Sequence, residues 1–145
     1  CCMLIRAETL RKIGLFNRSF FAYAEDIDWS LRAEEAGIRR RYVPRAILRH
    51  RMFGSSRKDG GRQAPKSSPR VEYLLARNRF LLVRLHAEPL SVRRGFALAY
   101  HVFVRRLPRA AGLLLMPARR AAGRAILEGL RAGWKCHPDP ADCRP

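Results

Sequence analysis

The block most able to do chemistry is Glu25-Asp26-Ile27-Asp28. Three carboxylates fall within four positions there, directly after the aromatic residues Phe16, Phe20, Phe21 and Tyr23. A helical pattern begins at the same point. The dipole and the free N–H groups of a helix N-terminus favour the ionised carboxylate. An ionised carboxylate at the lip of a pocket accepts the proton of a hydroxyl nucleophile. The plainer alternative is that Asp26 or Asp28 caps its own helix. Spacing alone does not separate the two. A second group of candidates follows. His50 lies 24 residues beyond Asp26, and Ser55, Ser56, Arg57 and Lys58 open a Gly-, Ser- and Pro-rich stretch. Hydroxyls and cations of that kind suit phosphate oxygens.

These residues need elements to hold them. Residues 2–6 read as a short apolar strand. Residues 7–13 read as a helix with Leu10 and Ile13 on one face, closed by Gly14. An aromatic loop covers residues 15–23. The helix that starts at Asp26 turns Trp29, Leu31, Ala33 and Ala36 to its apolar side and ends at Gly37. Residues 41–44 and 46–50 read as extended segments divided by Pro44, which cannot donate to a ladder. Residues 54–69 form a loop of a length that is usually either functional or disordered. Residues 71–86 form a long helix carrying Leu74, Leu75, Leu81, Leu82 and Leu85. Two more helical stretches, 90–107 and 110–132, are expected to break at Pro108 and Pro117.

Taken in order, the residues resemble a known family. The matching set is Met3-Leu4-Ile5-Arg6, Ile13-Gly14-Leu15-Phe16, Phe20-Phe21, Glu25-Asp26-Ile27-Asp28, Leu31-Arg32 and Ala36-Gly37. It continues with Tyr42-Val43-Pro44, Ala46, His50, Tyr73 and Arg77-Asn78-Arg79. This set resembles the family 2 glycosyltransferases, in their rhamnosyltransferase-like branch. The resemblance covers about residues 1–86. It implies an α/β fold, a partial GT-A (Rossmann-like) domain, followed by a mainly helical extension over 87–135 and a disordered tail over 136–145. It implies inverting transfer of a sugar, rhamnose being the commonest in this branch, from a nucleotide-diphosphate donor to an acceptor hydroxyl. That chemistry serves cell-surface polysaccharide or glycolipid synthesis. Asp26 takes the place of the catalytic base, and Glu25 helps to hold hydroxyls. Asp28 and Trp29 fall on the substrate side. His50 falls where a histidine meets the divalent cation, Mg²⁺ or Mn²⁺, or the diphosphate. Ser55, Ser56 and Arg57 belong to the segment that closes over the donor. Arg77 is placed to meet phosphate, and Asn78 to meet substrate or to pin its helix to the site loop. The family's Asp-x-Asp donor signature belongs to a half that would precede Cys1. The resemblance therefore makes this chain the acceptor-side half, inactive without the other, with most of the cation's ligands elsewhere.

Composition adds bounds. The chain has 145 residues, 30 Lys plus Arg and 12 Asp plus Glu, for a net charge of +18. Length suits one domain. Of the basic residues 26 are Arg, a bias that coding-DNA composition can produce. The charge keeps a small basic nucleic-acid-binding protein as the rival reading. Against it, no helix-turn-helix, zinc-finger or RNP signature is present, and the aromatics sit beside carboxylates, so no nucleic-acid partner is expected. Cys1, Cys2, Cys136 and Cys143 lie at the two ends and read as reduced thiols. Cys136-His137 with Cys143 lacks zinc spacing. The longest apolar run, 96–104, contains His101 and is too short to span a bilayer. Val92, Phe96, Ala99, Tyr100 and Phe103 can share a helical face with Arg93, Arg94, Arg105 and Arg106 nearby. Such a face either packs on the domain or lies on an anionic membrane. The expected location is cytoplasmic, with peripheral contact at the inner membrane face. The expected partners are a nucleotide-sugar donor and a glycan or lipid-linked acceptor.

Overall fold

The computed structural model describes residues 2–49, 68–86 and 92–136. Its centre is a helix buried on more than one side. Pro69 has the fixed φ that suits a first helical position, and α3 runs Pro69–His86 from there. Ala76 and Phe80 face one core, with Ala110, Leu113, Ala122, Ile126 and Leu130. Leu81 and Leu82 face another, with Phe20. Helix α1 (Ala7–Ile13) and helix α2 (Glu25–Glu35) precede α3. Beyond it come α4 (Val92–Ala99), a π-helical segment (Tyr100–Arg106), α5 (Leu107–Leu115) and α6 (Arg120–Lys135). The most extensive packing is between α3 and α6. The helices over 92–135 thus lean on the helix that also supports the acidic block.

Helix α6 approaches closely because it carries glycines on that side. A Cβ at Gly129 would collide with the Tyr73 carbonyl oxygen and come within 2.9 Å of the Ala76 Cβ. A Cβ at Gly133 would lie 2.7 Å from the Phe80 ring. Gly112, in α5, has open space instead. The pair makes a test. Gly112→Ala should stabilise by about 0.5–1 kcal/mol, because alanine restricts the unfolded chain and favours helix. Gly129→Ala gains the same propensity but should lose about 1–3 kcal/mol net, since backbone oxygen cannot step aside. Urea unfolding of both variants measures the difference. Equal stabilisation of both would mean that α3 and α6 lie further apart.

A buried ion cluster ties α3 to the segment after it. Glu72 is buried and accepts from Arg109 at 2.5 and 3.0 Å and from Arg106 at 3.2 Å. Removing one partner from such a cluster strands a charge.

The expected parallel sheet is not found. The described residues are all-helical apart from turns and extended segments, and none of them forms a strand. The α/β, Rossmann-like assignment is corrected accordingly. Residues 2–6 and 38–49 contain no ladder partner among the described residues. The reason is physical. A helix satisfies its backbone within itself, whereas a strand exists only beside another edge. A short apolar run therefore suggests extended backbone but does not supply the neighbour. The break expected at Pro108 is also absent, since α5 passes through it in its first turn. Proline clashes with the carbonyl four residues back in an α-helix. The wider π turn that ends at Arg106 precedes it, and π turns relax that i−4 register. At Pro117 the break is real, with Met116 extended before it.

Candidate functional site

The site is built from the C-terminus of α1 upward. Gly14 follows α1 at φ 82°, a region that favours glycine. Its carbonyl accepts from the Trp29 indole N–H at 3.1 Å. Arg32 donates to the carbonyls of Ile13 at 2.6 Å and Leu15 at 2.7 Å. These bonds lock α2 across the end of α1. Asn17 accepts from the Ser19 N–H at 2.9 Å and starts a short 3₁₀ turn, Arg18–Phe20. Phe20 then plunges into the core, fully buried.

Three of the next four residues are strained. Phe21, Tyr23 and Ala24 have φ of 61°, 69° and 74°. Non-glycine residues at positive φ cost about 1–3 kcal/mol each and persist where surroundings over-determine them. Helix α3 supplies those surroundings. The Asn78 amide donates to the carbonyls of Phe20 at 2.9 Å, Ala22 at 2.7 Å and Tyr23 at 2.7 Å. Arg77 donates to the Ser19 and Phe20 carbonyls and to Asn78 Oδ1. The Arg70 guanidinium sits 4.7 Å from the centre of the Phe21 ring.

From this clamped loop α2 departs with Ala24 as its N-cap, a residue with no side-chain acceptor. Asp26 is exposed, and among the described residues its Oδ1 accepts only from the Ile27 N–H, at 2.9 Å. Glu25 is half-buried, and its Oε2 is shielded with no hydrogen-bond partner among the described residues. Exposed Phe16, Phe21, Tyr23 and Ile27 surround the pair in sequence.

Asp28 behaves differently from its neighbours. It is buried, accepting from Arg32 at 3.1 Å and facing His86 Nε2 at 2.9 Å. His86 Nδ1 faces Glu35 at 3.3 Å. Both ring nitrogens thus meet carboxylates, an arrangement that only the doubly protonated imidazolium satisfies. The hydrogen bond that His86 donates to Asp28 raises the His86 pKa above its ordinary 6.5, against the effect of burial. Asp28 and Trp29, expected on the substrate side, are therefore engaged in holding α1, α2 and α3 together. Arg77 and Asn78 likewise have backbone carbonyls as partners.

The raised His86 pKa has a consequence for stability. The native state holds the proton more tightly than the unfolded chain. The contribution is fully present below pH 6.5 and is lost as pH rises through the raised value. His101 works in the opposite sense. Burial lowers its pKa to about 4, with Nε2 donating to the Ala76 carbonyl at 3.1 Å. Its contribution is present above pH 6.5 and is lost as pH falls toward 4. In His86→Gln, the stability deficit relative to the parent should be largest near pH 6 and shrink toward pH 8. Urea midpoints across that range measure it. A deficit independent of pH would rule out a charged His86.

His50, Ser55, Ser56 and Arg57 lie outside the described residues. Among the described residues, no group of three or more His, Cys, Asp or Glu side chains is placed to hold a metal ion. Asp28 is already engaged by Arg32 and His86. Sequence reasoning missed His86 and Glu72. Each pairs with side chains distant in sequence, so no local pattern marked them.

No protein-family profile, curated protein or solved structure matches this chain. Among the described residues, no helix is long and apolar enough to cross a membrane.

Proposed function

We propose that residues 20–28 are the base-bearing site of an inverting glycosyltransferase that moves a sugar from a nucleotide-diphosphate donor to an acceptor hydroxyl. The observation that carries the reading is the clamped loop. Three non-glycine residues at positive φ are held by one buried amide, and they deliver Glu25 and Asp26 at a helix N-terminus. Strain of this kind gathers where geometry serves function. The reading rests on the site and the resemblance rather than on the fold, which does not define chemistry.

The step balances as a single displacement. The acceptor oxygen forms a bond to the anomeric carbon as the bond from that carbon to the diphosphate oxygen breaks. The bonding pair leaves with the nucleoside diphosphate. The hydroxyl proton passes to the Asp26 carboxylate, whose exposure gives an acceptor access. The unpartnered Glu25 Oε2 accepts a second hydroxyl, which relieves the cost of shielding a bare acceptor. One base suffices, and the product is inverted at the anomeric carbon. The test is an assay of the natural-length polypeptide that carries these residues against a panel of nucleotide-diphosphate sugars and glycan acceptors. Nucleoside diphosphate should be released only when donor and hydroxyl acceptor are both present. Release that ignores the acceptor would count against the reading.

A further inference from the structure

A second surface lies on the far side of the sequence from the acidic block. Val92, Phe96, Tyr100, Phe103 and Val104 are all exposed, Phe96 at 72%, Tyr100 at 56% and Phe103 at 68%. The same segment turns other residues inward. Leu98 and Val102 pack on the core, and His101 is buried against the Ala76 carbonyl. The outward row is therefore not core left over from a frayed helix.

The π segment keeps that row straight. In an α-helix a residue four positions on overshoots the turn of about 3.6 residues. In the wider π turn it falls short. The two errors have opposite sign. Residues 92, 96, 100 and 104 therefore share a face across the junction of α4 and the π segment.

Charge decides the occupant. From residue 89 to residue 127 the sequence holds eight arginines and no acidic residue. Arg93 and Arg105 are exposed within the row's length. At its C-terminal end a cavity of about 240 Å³ is lined by Arg105, Arg106 and Arg109 with Glu72. Glu72 is the single acid on that lining, so the guanidiniums exceed it by two charges. Arg106 Nε is shielded there with no hydrogen-bond partner among the described residues. A row of aromatic and aliphatic groups wants a non-aqueous phase, and the arginines beside it want phosphate. A nucleic-acid backbone satisfies the second demand and leaves the first in water. An anionic bilayer surface satisfies both, with arginine stems lying along the acyl boundary and the guanidiniums at headgroup level.

We propose that α4 and the π segment dock the protein on the surface of an anionic phospholipid membrane, the apolar row lying in the interface and the arginines meeting lipid phosphate. This surface is independent of the glycosyltransferase reading. The test is flotation of the whole chain with vesicles of phosphatidylcholine alone and with about one third phosphatidylglycerol. Binding should require the anionic lipid and should weaken as salt rises, as a charge-assisted contact does. A triple variant, Phe96→Ser, Tyr100→Ser and Phe103→Ser, removes exposed groups only. It should keep the parent's circular dichroism and lose about tenfold or more in partitioning. A double variant, Arg93→Gln and Arg105→Gln, should lose the preference for anionic lipid. Undiminished binding by the serine variant would overturn the proposal, because charge alone would then suffice. Failure to float with either vesicle would overturn it too. So would release from vesicles by a stoichiometric amount of duplex DNA, which would assign the surface to nucleic acid. Self-association that is lost in the serine variant, without vesicle binding, would assign it to a second copy of the chain.

Discussion

Asp26→Asn in the natural-length polypeptide is expected to lower the rate of glycosyl transfer by about 10²–10⁴-fold, the usual contribution of a positioned base. The substitution is chosen for what it leaves alone. Asp26 is exposed, and its Oδ1 accepts from the Ile27 N–H. An asparagine oxygen accepts the same bond, so the first turn of α2 keeps its local cap. Stability should therefore change by no more than about 0.5 kcal/mol, as for an ordinary surface substitution. Donor binding should be unchanged, because the lost group meets the acceptor. The measurement is nucleoside diphosphate release at saturating donor, with thermal unfolding run beside it. A drop in turnover with unchanged donor KM and unchanged unfolding places the proton on Asp26. Full turnover in the variant would remove Asp26 from the chemistry and leave it a helix cap. Glu25→Gln separates the neighbouring role. It should raise the acceptor KM more than it lowers turnover, because in the proposed mechanism Glu25 holds a hydroxyl without taking its proton.

The sequence made some of this visible for identifiable reasons. Helices α1, α2 and α3 follow from apolar spacing and, for the first two, from punctuation by Gly14 and Gly37, all local signals. The acidic block was conspicuous because three carboxylates in four positions are costly unless a helix end or a ligand favours them. What the sequence could not carry was pairing. Residues 2–6, 41–44 and 46–50 are short apolar-rich runs that read as extended, yet a strand's hydrogen bonds belong to a neighbour that no local pattern names. The same blindness hid the division of labour among the carboxylates. Asp26 and Asp28 differ by two positions and have opposite fates, one exposed and the other buried between Arg32 and His86. His86 lies 58 residues from Asp28, so spacing within α2 held no hint of it. The apolar row on α4 was legible as a shared face. Whether it was covered depended on where α3 and α6 would lie.

Asn78→Asp is expected to be among the most damaging single-atom changes available to this chain. Asn78 is 1% exposed. Its amide nitrogen serves three carbonyls, those of Phe20, Ala22 and Tyr23. Aspartate keeps the oxygen that accepts from Arg77 Nε. It replaces the amide nitrogen by an acceptor that faces three other acceptors. If the carboxyl ionises, a buried charge confronts carbonyl dipoles. If it protonates, a single O–H replaces two N–H donors. Either way buried carbonyls go unpaired, at about 1–3 kcal/mol each, so a total loss near 3 kcal/mol is expected. The loop then has nothing to hold Phe21, Tyr23 and Ala24 at positive φ, and relaxation moves Asp26 from its place. Transfer should fall with stability, but by more than the unfolded fraction explains. Ile126→Ala supplies the comparison. Ile126 is fully buried on α6, in the core away from the loop, and its truncation costs about 2–5 kcal/mol. At a temperature where both variants remain folded, Ile126→Ala should transfer sugar at the parent's rate per folded molecule and Asn78→Asp should not. Equal activity of the two would mean that α3 merely stabilises the protein and that the strained loop can be relaxed without consequence for the base.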